Sequence, residues 1–333
     1  GKTSLVSSAL FVSGATNRLG SVDDGNAPTD YDEEEIERKM TISTKLAFCE
    51  LNSHKINMLD TPGFGNMIQE ARAALRVADT AVVVIDAVSG VQVQSEKVWQ
   101  FCEEFDVPRF VLVNRMDRER ASFEQSLASI QQDFGRTCVP VQIPLGAEQG
   151  FRGVVDLIRM KAYTYEGDAS GKFSESDVPD DLKDQAEEHR EKLVELVAES
   201  NDALMEKFFE EGSLSDDELI EGLKEQVLKR AIYPVLFASG TRNIGVSSLL
   251  GSIIDYSPSP TQQGSVPGKD ASGNDVDRAI SDSEPFSAYV FKTISDPFTG
   301  RISLFKVYSG TLTSDVQPYN VRSESTERIG HVI

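Results

Sequence analysis

The residues of this chain with the potential for chemistry fall into three short groups. Gly1-Lys2-Thr3-Ser4 joins a permissive turn residue to a mobile cation and two hydroxyls. Phosphate oxygens need such a set, because a glycine turn into a helix N-terminus offers backbone N–H donors and a favourable dipole. Lys2 then reaches the β- and γ-phosphates, and the Thr3 hydroxyl serves Mg²⁺. Alone, the triplet recurs by chance. It is followed in order by Asp60-Thr61-Pro62-Gly63 and Asn114-Arg115-Met116-Asp117, each placed just after a strand-like apolar run.

Asp60 ends its run, where a carboxylate can hold Mg²⁺ through a water. Gly63 has no Cβ, so its N–H can approach a γ-phosphate, a contact that orders or releases the segment after it. Without its neighbours Asp-Thr-Pro-Gly reads simply as a turn. Asp117 is the base-reading carboxylate: it accepts from the N1–H and exocyclic amine of guanine, a pair that adenine lacks. A site of buried hydrogen bonds rejects the wrong partner by about 10⁴-fold, which favours GTP over ATP. Ser239-Gly240, after the run ending at Ala238, offers a backbone N–H for the guanine carbonyl. Thr41 follows the polar stretch 23–35 and has two readings: a hydroxyl that closes over Mg²⁺, or a strand threonine in Thr41-Ile42-Ser43-Thr44.

These groups need a scaffold. Residues 55–60, 81–86 and 110–114 are short β-rich runs, and 67–77 and 93–105 carry helical spacing between them. That alternation predicts an α/β fold with a mostly parallel sheet, helices on both faces and ligands at the carboxyl ends of the strands. Asp86 also ends a strand, but no nucleotide motif follows it, so a cap or turn role is expected. Residues 181–230 are helical and acidic, with Asp216-Asp217-Glu218 after Ser215 marking a helix start. Residues 233–238 resume the sheet and 246–256 form its last helix. The expected division is a nucleotide-binding domain over 1–260 with an acidic helical insert at 163–230, a linker or exposed loop at 261–283, and the start of an antiparallel β-barrel at 284–333. In the last, strands 287–294 and 301–308 flank a turn at Asp296-Pro297-Phe298-Thr299-Gly300.

Charge narrows the partners. A formal charge of −21 argues against DNA and broad polyanion binding. Residues 166–225 hold 21 acidic and 6 basic side chains, −15 of that total. The segment is either a solvated helical face or a docking surface for a basic partner. No apolar run approaches the roughly 20 residues that span a bilayer, so no membrane partner is expected. Cys49, Cys102 and Cys138 are widely spaced without a CxxC pattern, and read as small buried hydrophobes.

With these motifs in place, the chain resembles the translational GTPases, and elongation factor G in particular. The likeness runs through Thr41 and its flanks, Asp60 to Gly63, Asn114 to Asp117, Gly153-Val154-Val155-Asp156-Leu157 and Asn243-Ile244-Gly245-Val246. It continues through Asp255-Tyr256-Ser257-Pro258-Ser259-Pro260 and Val307-Tyr308-Ser309-Gly310-Thr311-Leu312. The resemblance implies a P-loop GTPase domain that binds GTP or GDP, with Thr3 and Thr41 as direct Mg²⁺ ligands. It also implies a monomeric cytoplasmic factor that meets the ribosome through the rRNA of the factor-binding site and, by its acidic insert, through the stalk protein. On the same likeness the chain is expected to be a fragment. It opens inside the phosphate loop, lacks three later domains, and should bind nucleotide poorly by itself.

Two departures stand out. The family usually places His after Asp-Thr-Pro-Gly, where it positions the attacking water; here Phe64 stands, which neither donates nor accepts a proton. None of His54, His189 and His331 follows a comparable turn. Arg115 occupies a usual Lys position and keeps the charge and long stem. Phe64 points to a divergent, paralogous branch. The readings are therefore a ribosome-stimulated GTPase acting in translocation or recycling, and a GTP-dependent ribosome-binding switch with slow or no hydrolysis. An ATP-dependent P-loop enzyme remains only if Asp117 does not read the base.

Overall fold

The sheet that carries the motifs is built from runs too apolar to lie anywhere but between two layers. The structure, a computed structural model, describes residues 1–270, 272–296, 300–313, 316–329 and 332. It divides into two units, Gly1–Ser257 and Pro258–Ile333. The first opens with helix α1 (Lys2–Val12), the short α2 (Glu33–Arg38) and an antiparallel hairpin of β1 (Lys45–Leu51) and β2 (His54–Asp60). Then α3 (Ile68–Leu75), β3 (Ala81–Asp86), α4 (Val93–Glu104), β4 (Arg109–Asn114), α5 (Phe123–Phe134) and β5 (Cys138–Pro140) alternate as the periodicity predicts. β6 (Gln142–Leu145), β7 (Gly153–Asp156), β8 (Lys161–Tyr165) and β9 (Phe173–Asp177) make a separate antiparallel sheet. The helices α6 (Asp180–Ala198), α7 (Asp202–Glu211) and α8 (Asp216–Leu228) follow, then β10 (Tyr233–Ala238) and α9 (Val246–Tyr256).

The central sheet has the order β3-β4-β10-β5, all parallel. Side chains alternate between its faces. Phe110, Leu112, Leu236 and Ala238 pack with Leu5 and Leu10 of α1 and Leu250 of α9. Val111, Val113, Val235 and Phe237 pack with Trp99, Phe123 and Ile130 on the other face. Each such side chain contributes about 1.5–3 kcal/mol by leaving water, so strand ends are held firmly where the motifs begin. All three cysteines are free and buried.

Two expectations are corrected. The segment 163–230 is not helical throughout: 161–177 is the β8–β9 hairpin, and helix begins at Asp180. Tyr163, Thr164, Tyr165 and Phe173 are strand formers, and Tyr163 and Tyr165 both meet the Phe173 ring. Second, residues 261–283, expected as a linker or loop, contain a hairpin of β11 (Ser265–Lys269) and β12 (Asp275–Ala279). Its Asp270-to-Asn274 turn closes through the Asp270 carboxylate, which accepts from the Ser272 and Asn274 amides. Next, β13 (Ser287–Asp296) and β14 (Gly300–Ser309) pair antiparallel with two register shifts, and β15 (Tyr319–Asn320) pairs with β16 (Ser325–Thr326). Pro297, Phe298 and Thr299 of the anticipated turn, and His331, lie outside the described residues.

The helix start read at Ser215 is a full capping box. Ser215 Oγ accepts from the Glu218 amide, and Glu218 accepts from the Ser215 amide at 3.0 Å. Ser215→Ala should therefore cost about 1 kcal/mol, read as a lower urea midpoint with an unchanged m-value.

Candidate nucleotide site

Helix α1 carries the first group at its N-terminus, and β2 and β4 deliver the other two at their carboxyl ends. Gly1 and Asn114 meet directly: Asn114 Nδ2 lies 3.4 Å from the Gly1 carbonyl. Asn114 Oδ1 accepts from the Gly240 amide at 2.9 Å, and Ser8 of α1 donates to the Gly240 carbonyl at 2.6 Å. Asn114 thus ties α1 to the loop after β10. The Met116 amide donates to the Ala238 carbonyl at 3.2 Å, fixing the turn that presents Asp117. One buried oxygen of Asp117, Oδ1, has no hydrogen-bond partner. A buried acceptor left open is costly, and a donor pair such as that of guanine would satisfy it.

Ser239-Gly240 is held by contacts within the chain. The Ser239 amide donates to the Ile244 carbonyl at 2.9 Å, and the Gly240 amide is already taken by Asn114. Both amides are thus engaged within the chain, and this turn braces Asn114. Gly245 permits the arrangement: its φ is +79°, and a Cβ there would lie 2.5 Å from the Phe237 carbonyl oxygen. Arg115, at φ +68°, sends its guanidinium to Asp86, 2.9 Å away. Asp86 also accepts the Val88 and Ser89 amides, the turn role expected of it. Burial opposes ionisation there, but Arg115 and these amides outweigh it and hold the carboxyl below its ordinary range.

At the other end, hydroxyls and carboxylates converge. Thr3 Oγ1 and Thr41 Oγ1 are 2.7 Å apart, and Thr41 donates to Asp30 Oδ1 at 2.8 Å. Thr29 donates to Asp60 Oδ2 at 3.0 Å. Thr41 precedes β1 and is not in a strand, which removes the strand-threonine reading. Asp60 Oδ1 and Asp30 Oδ2 are buried without hydrogen-bond partners. A Cβ on Gly63 would stand 2.7 Å from Lys2 Nζ, so any larger residue there would displace the ammonium. Burial pushes the Lys2 ammonium down, with Asp60 opposing. Burial likewise pushes the Asp60 carboxyl up, against hydrogen bonds from Thr3 and Thr29.

This donor set fits Mg²⁺. Hard oxygen ligands, two of them hydroxyls, stand with two open carboxylate oxygens, and the ion normally completes its shell with water and phosphate. Among the described residues no group of three or more His, Cys, Asp and Glu is placed to hold a metal ion. Thr61 and the buried Pro62 lead from Asp60 to Gly63 outside any helix or strand. Phe64 begins the turn Gly65–Met67 and is 53% exposed, unlike the buried Thr3, Thr41 and Asp60. Asp30 and Thr29 were invisible as site residues in the polar stretch 23–35; nothing in their spacing marks them.

Asp30 supplies a pH test. Burial raises its carboxyl and Glu35 adds to the rise, while Thr41 and Lys45 oppose it. A raised carboxyl gives stability that is complete below its unfolded-state pKa and lost as pH climbs through the folded one. The ligand-free protein is therefore penalised at neutral pH. Asp30→Asn, which still accepts from Thr41, should raise the urea midpoint at pH 7 in EDTA, with the gain shrinking towards acid. An equal or lower midpoint at pH 7 would contradict this.

The comparisons with known proteins agree with the geometry. The family model of the elongation factor Tu GTP binding domain matches residues 1–259. A crystal structure of a protein from Thermus thermophilus matches with a TM-score of 0.83 at 31% identity, over 95% of this chain and 45% of that one. The chain thus spans less than half the length of that protein. With a parallel sheet covered by helices on both faces, and a family match over three quarters of its residues, the chain belongs to the translation factor GTPases that share the elongation factor Tu GTP-binding domain.

Proposed function

We propose that this chain is the GTP-binding part of a ribosome-associated factor of the elongation factor G type. The observation that carries the reading is the convergence of Thr3, Thr41, Asp30 and Asp60 beside Lys2 at the N-terminus of α1. Lys2 would take the β- and γ-phosphate oxygens, with the α1 dipole behind it. Thr3 and Thr41 would hold Mg²⁺ directly, and Asp60 through water. The ion, when bound, would neutralise charge on the β- and γ-phosphates. Asp117 would read guanine, with GTP and GDP as the ligands. The Gly63 amide would sense the γ-phosphate and pass its loss to α3.

The acidic helices α6 to α8 would dock the ribosomal stalk protein, and the nucleotide end would face the rRNA of the factor-binding site. We take the factor to be a cytoplasmic monomer. Among the described residues no helix is long and apolar enough to cross a membrane.

Phe64 favours a second reading within the same family. With no proton-active group after Gly63, the factor would act as a GTP-dependent switch on the ribosome, hydrolysing slowly or not at all. A ribosome-stimulated GTPase assay on the full-length protein separates the two. Turnover above the ribosome-free background supports the enzyme; turnover equal to background leaves the switch.

A further inference from the structure

The loop after β10 is held from outside the central sheet. It closes on itself first: the Ser239 and Ile244 backbones bond to each other in both directions, at 2.9 and 3.0 Å. Asn243 in that loop is 1% exposed and sits at φ +53°, a left-handed backbone that Asn and Gly tolerate. Its Nδ2 donates to the Ala169 carbonyl at 3.0 Å, in the turn between β8 and β9. Its Oδ1 is buried without a partner, so the bond to Ala169 is what offsets the burial of the amide. The turn is also close at Gly171. A Cβ there would lie 2.6 Å from Asn243 Nδ2 and 2.4 Å from Val12 Cγ1, at the end of α1.

The same hairpin makes a second contact. Helix α9 starts after Gly245 with no side-chain cap of its own. The hydroxyl of the buried Tyr165, at the end of β8, lies 2.7 Å from Ser247 Oγ and 2.9 Å from Ser248 Oγ in the first turn of α9. Arg242 Nη1 reaches out of the loop as well, to the Gln149 and Phe151 carbonyls at 3.1 and 3.3 Å. The β6–β9 sheet and its connections thus grip the segment at 242, 243 and 247–248. The same segment presents the Gly240 amide, which holds Asn114.

We propose that the β8–β9 hairpin is a clasp on the loop after β10, and that Asn243 and Tyr165 are positioning residues that slow release of the guanine nucleotide, although neither belongs to a nucleotide motif. The nucleotide rests on the function proposed above, but the clasp does not.

The test pairs two readouts on the full-length protein. One is release of a fluorescent GDP analogue chased with excess GDP; the other is amide hydrogen exchange at Gly240 and Ile244 in the nucleotide-free form. Asn243→Gly keeps the left-handed backbone and loses the bond to Ala169, while Tyr165→Phe loses only the hydroxyl. Each should speed GDP release by about three- to ten-fold and both exchange rates by a similar factor, the usual effect of one buried hydrogen bond. Gly171→Ala leaves the loop's own sequence intact and drives a Cβ against Asn243, so it should match Asn243→Gly. Unchanged exchange in β4 reports an intact fold. If Tyr165→Phe loses that protection, the two variants at the hairpin tip decide. A merely structural role would lower the urea midpoint and leave GDP release unchanged. That result, or exchange at Gly240 and Ile244 equal to wild type in all three variants, would overturn the proposal. Failure of the wild-type protein to bind the GDP analogue would count against the proposed function, and exchange at the two amides would still decide the clasp.

Discussion

Asp117→Ala should lower GTP affinity by about 10³- to 10⁴-fold while leaving the fold unchanged. The loss is large because guanine's two donors would face an empty space inside a closed site. The contacts that shape the turn do not involve this side chain. Asn114 is held by the Gly240 amide, and the Met116 amide by the Ala238 carbonyl. Removing the Asp117 carboxylate also removes a buried oxygen that has no partner, so the ligand-free protein should not be destabilised. Asp117→Asn sharpens the test. Its amide would present a donor where guanine also presents one, but would match the 2-carbonyl of xanthine, so affinity should pass from GTP to XTP. Titration of fluorescent GTP, XTP and ATP analogues against the full-length variants reads this. A loss under about tenfold for GTP in Asp117→Ala would sink the base-reading role. ATP binding that is tight and unaffected would instead support an ATP enzyme.

Asp117, Asn114, Asp60 and Lys2 stood out in the sequence because each belongs to a local pattern whose spacing suits one ligand. The sheet was legible for a similar reason: runs such as Phe110-Val111-Leu112-Val113, fully buried here, tolerate no other place. The strand order was not. β10 slots between β4 and β5, although the whole β6-to-α8 segment separates it from β5 in sequence. Arg109 shows what that neighbourhood demands: its guanidinium lies 4.0 Å from the Trp99 ring centroid and donates to the Tyr233 hydroxyl at 3.0 Å. No pattern within β4 announces a partner more than a hundred residues away.

The site residues that escaped the sequence reading share a physical cause. Asp30 and Glu35 are acidic residues among many, and burial is what sets them apart. Glu33 and Glu34 adjoin Glu35 yet lie exposed, while Glu35 is enclosed because Lys45 and two amides meet it there. The bracing of Asn114 by the Ser239-Gly240 turn escaped for the complementary reason. A sequence reveals where a backbone donor stands but not whether a side chain such as Asn114 has already claimed it.

Phe64→His should raise ribosome-stimulated GTP hydrolysis by up to about 10²- to 10⁴-fold, the usual contribution of a positioned acid–base group. The backbone can take the change: Phe64 has φ −87° and ψ +143°, an extended conformation open to either residue. Its ring is half exposed and fills no core, so no cavity follows from its loss. The following glycine is crowded, since a Cβ on Gly65 would stand 2.7 Å from Gln94 Nε2. That packing holds the turn from the α4 side and would help aim an imidazole placed one residue earlier. Gln94 Oε1 is itself buried without a partner, so an acceptor able to orient a water already lies beside the turn. The double variant Phe64→His, Gln94→Ala decides how the two groups share the task. If the introduced imidazole alone suffices, the double variant should keep most of the gain. If Gln94 does the positioning, Phe64→His should change the stimulated rate little and Gln94→Ala in the wild type should abolish it. Single-turnover hydrolysis with ribosomes measures both, and GTP affinity should stay within about threefold throughout, because neither side chain meets the base or the phosphate-loop lysine.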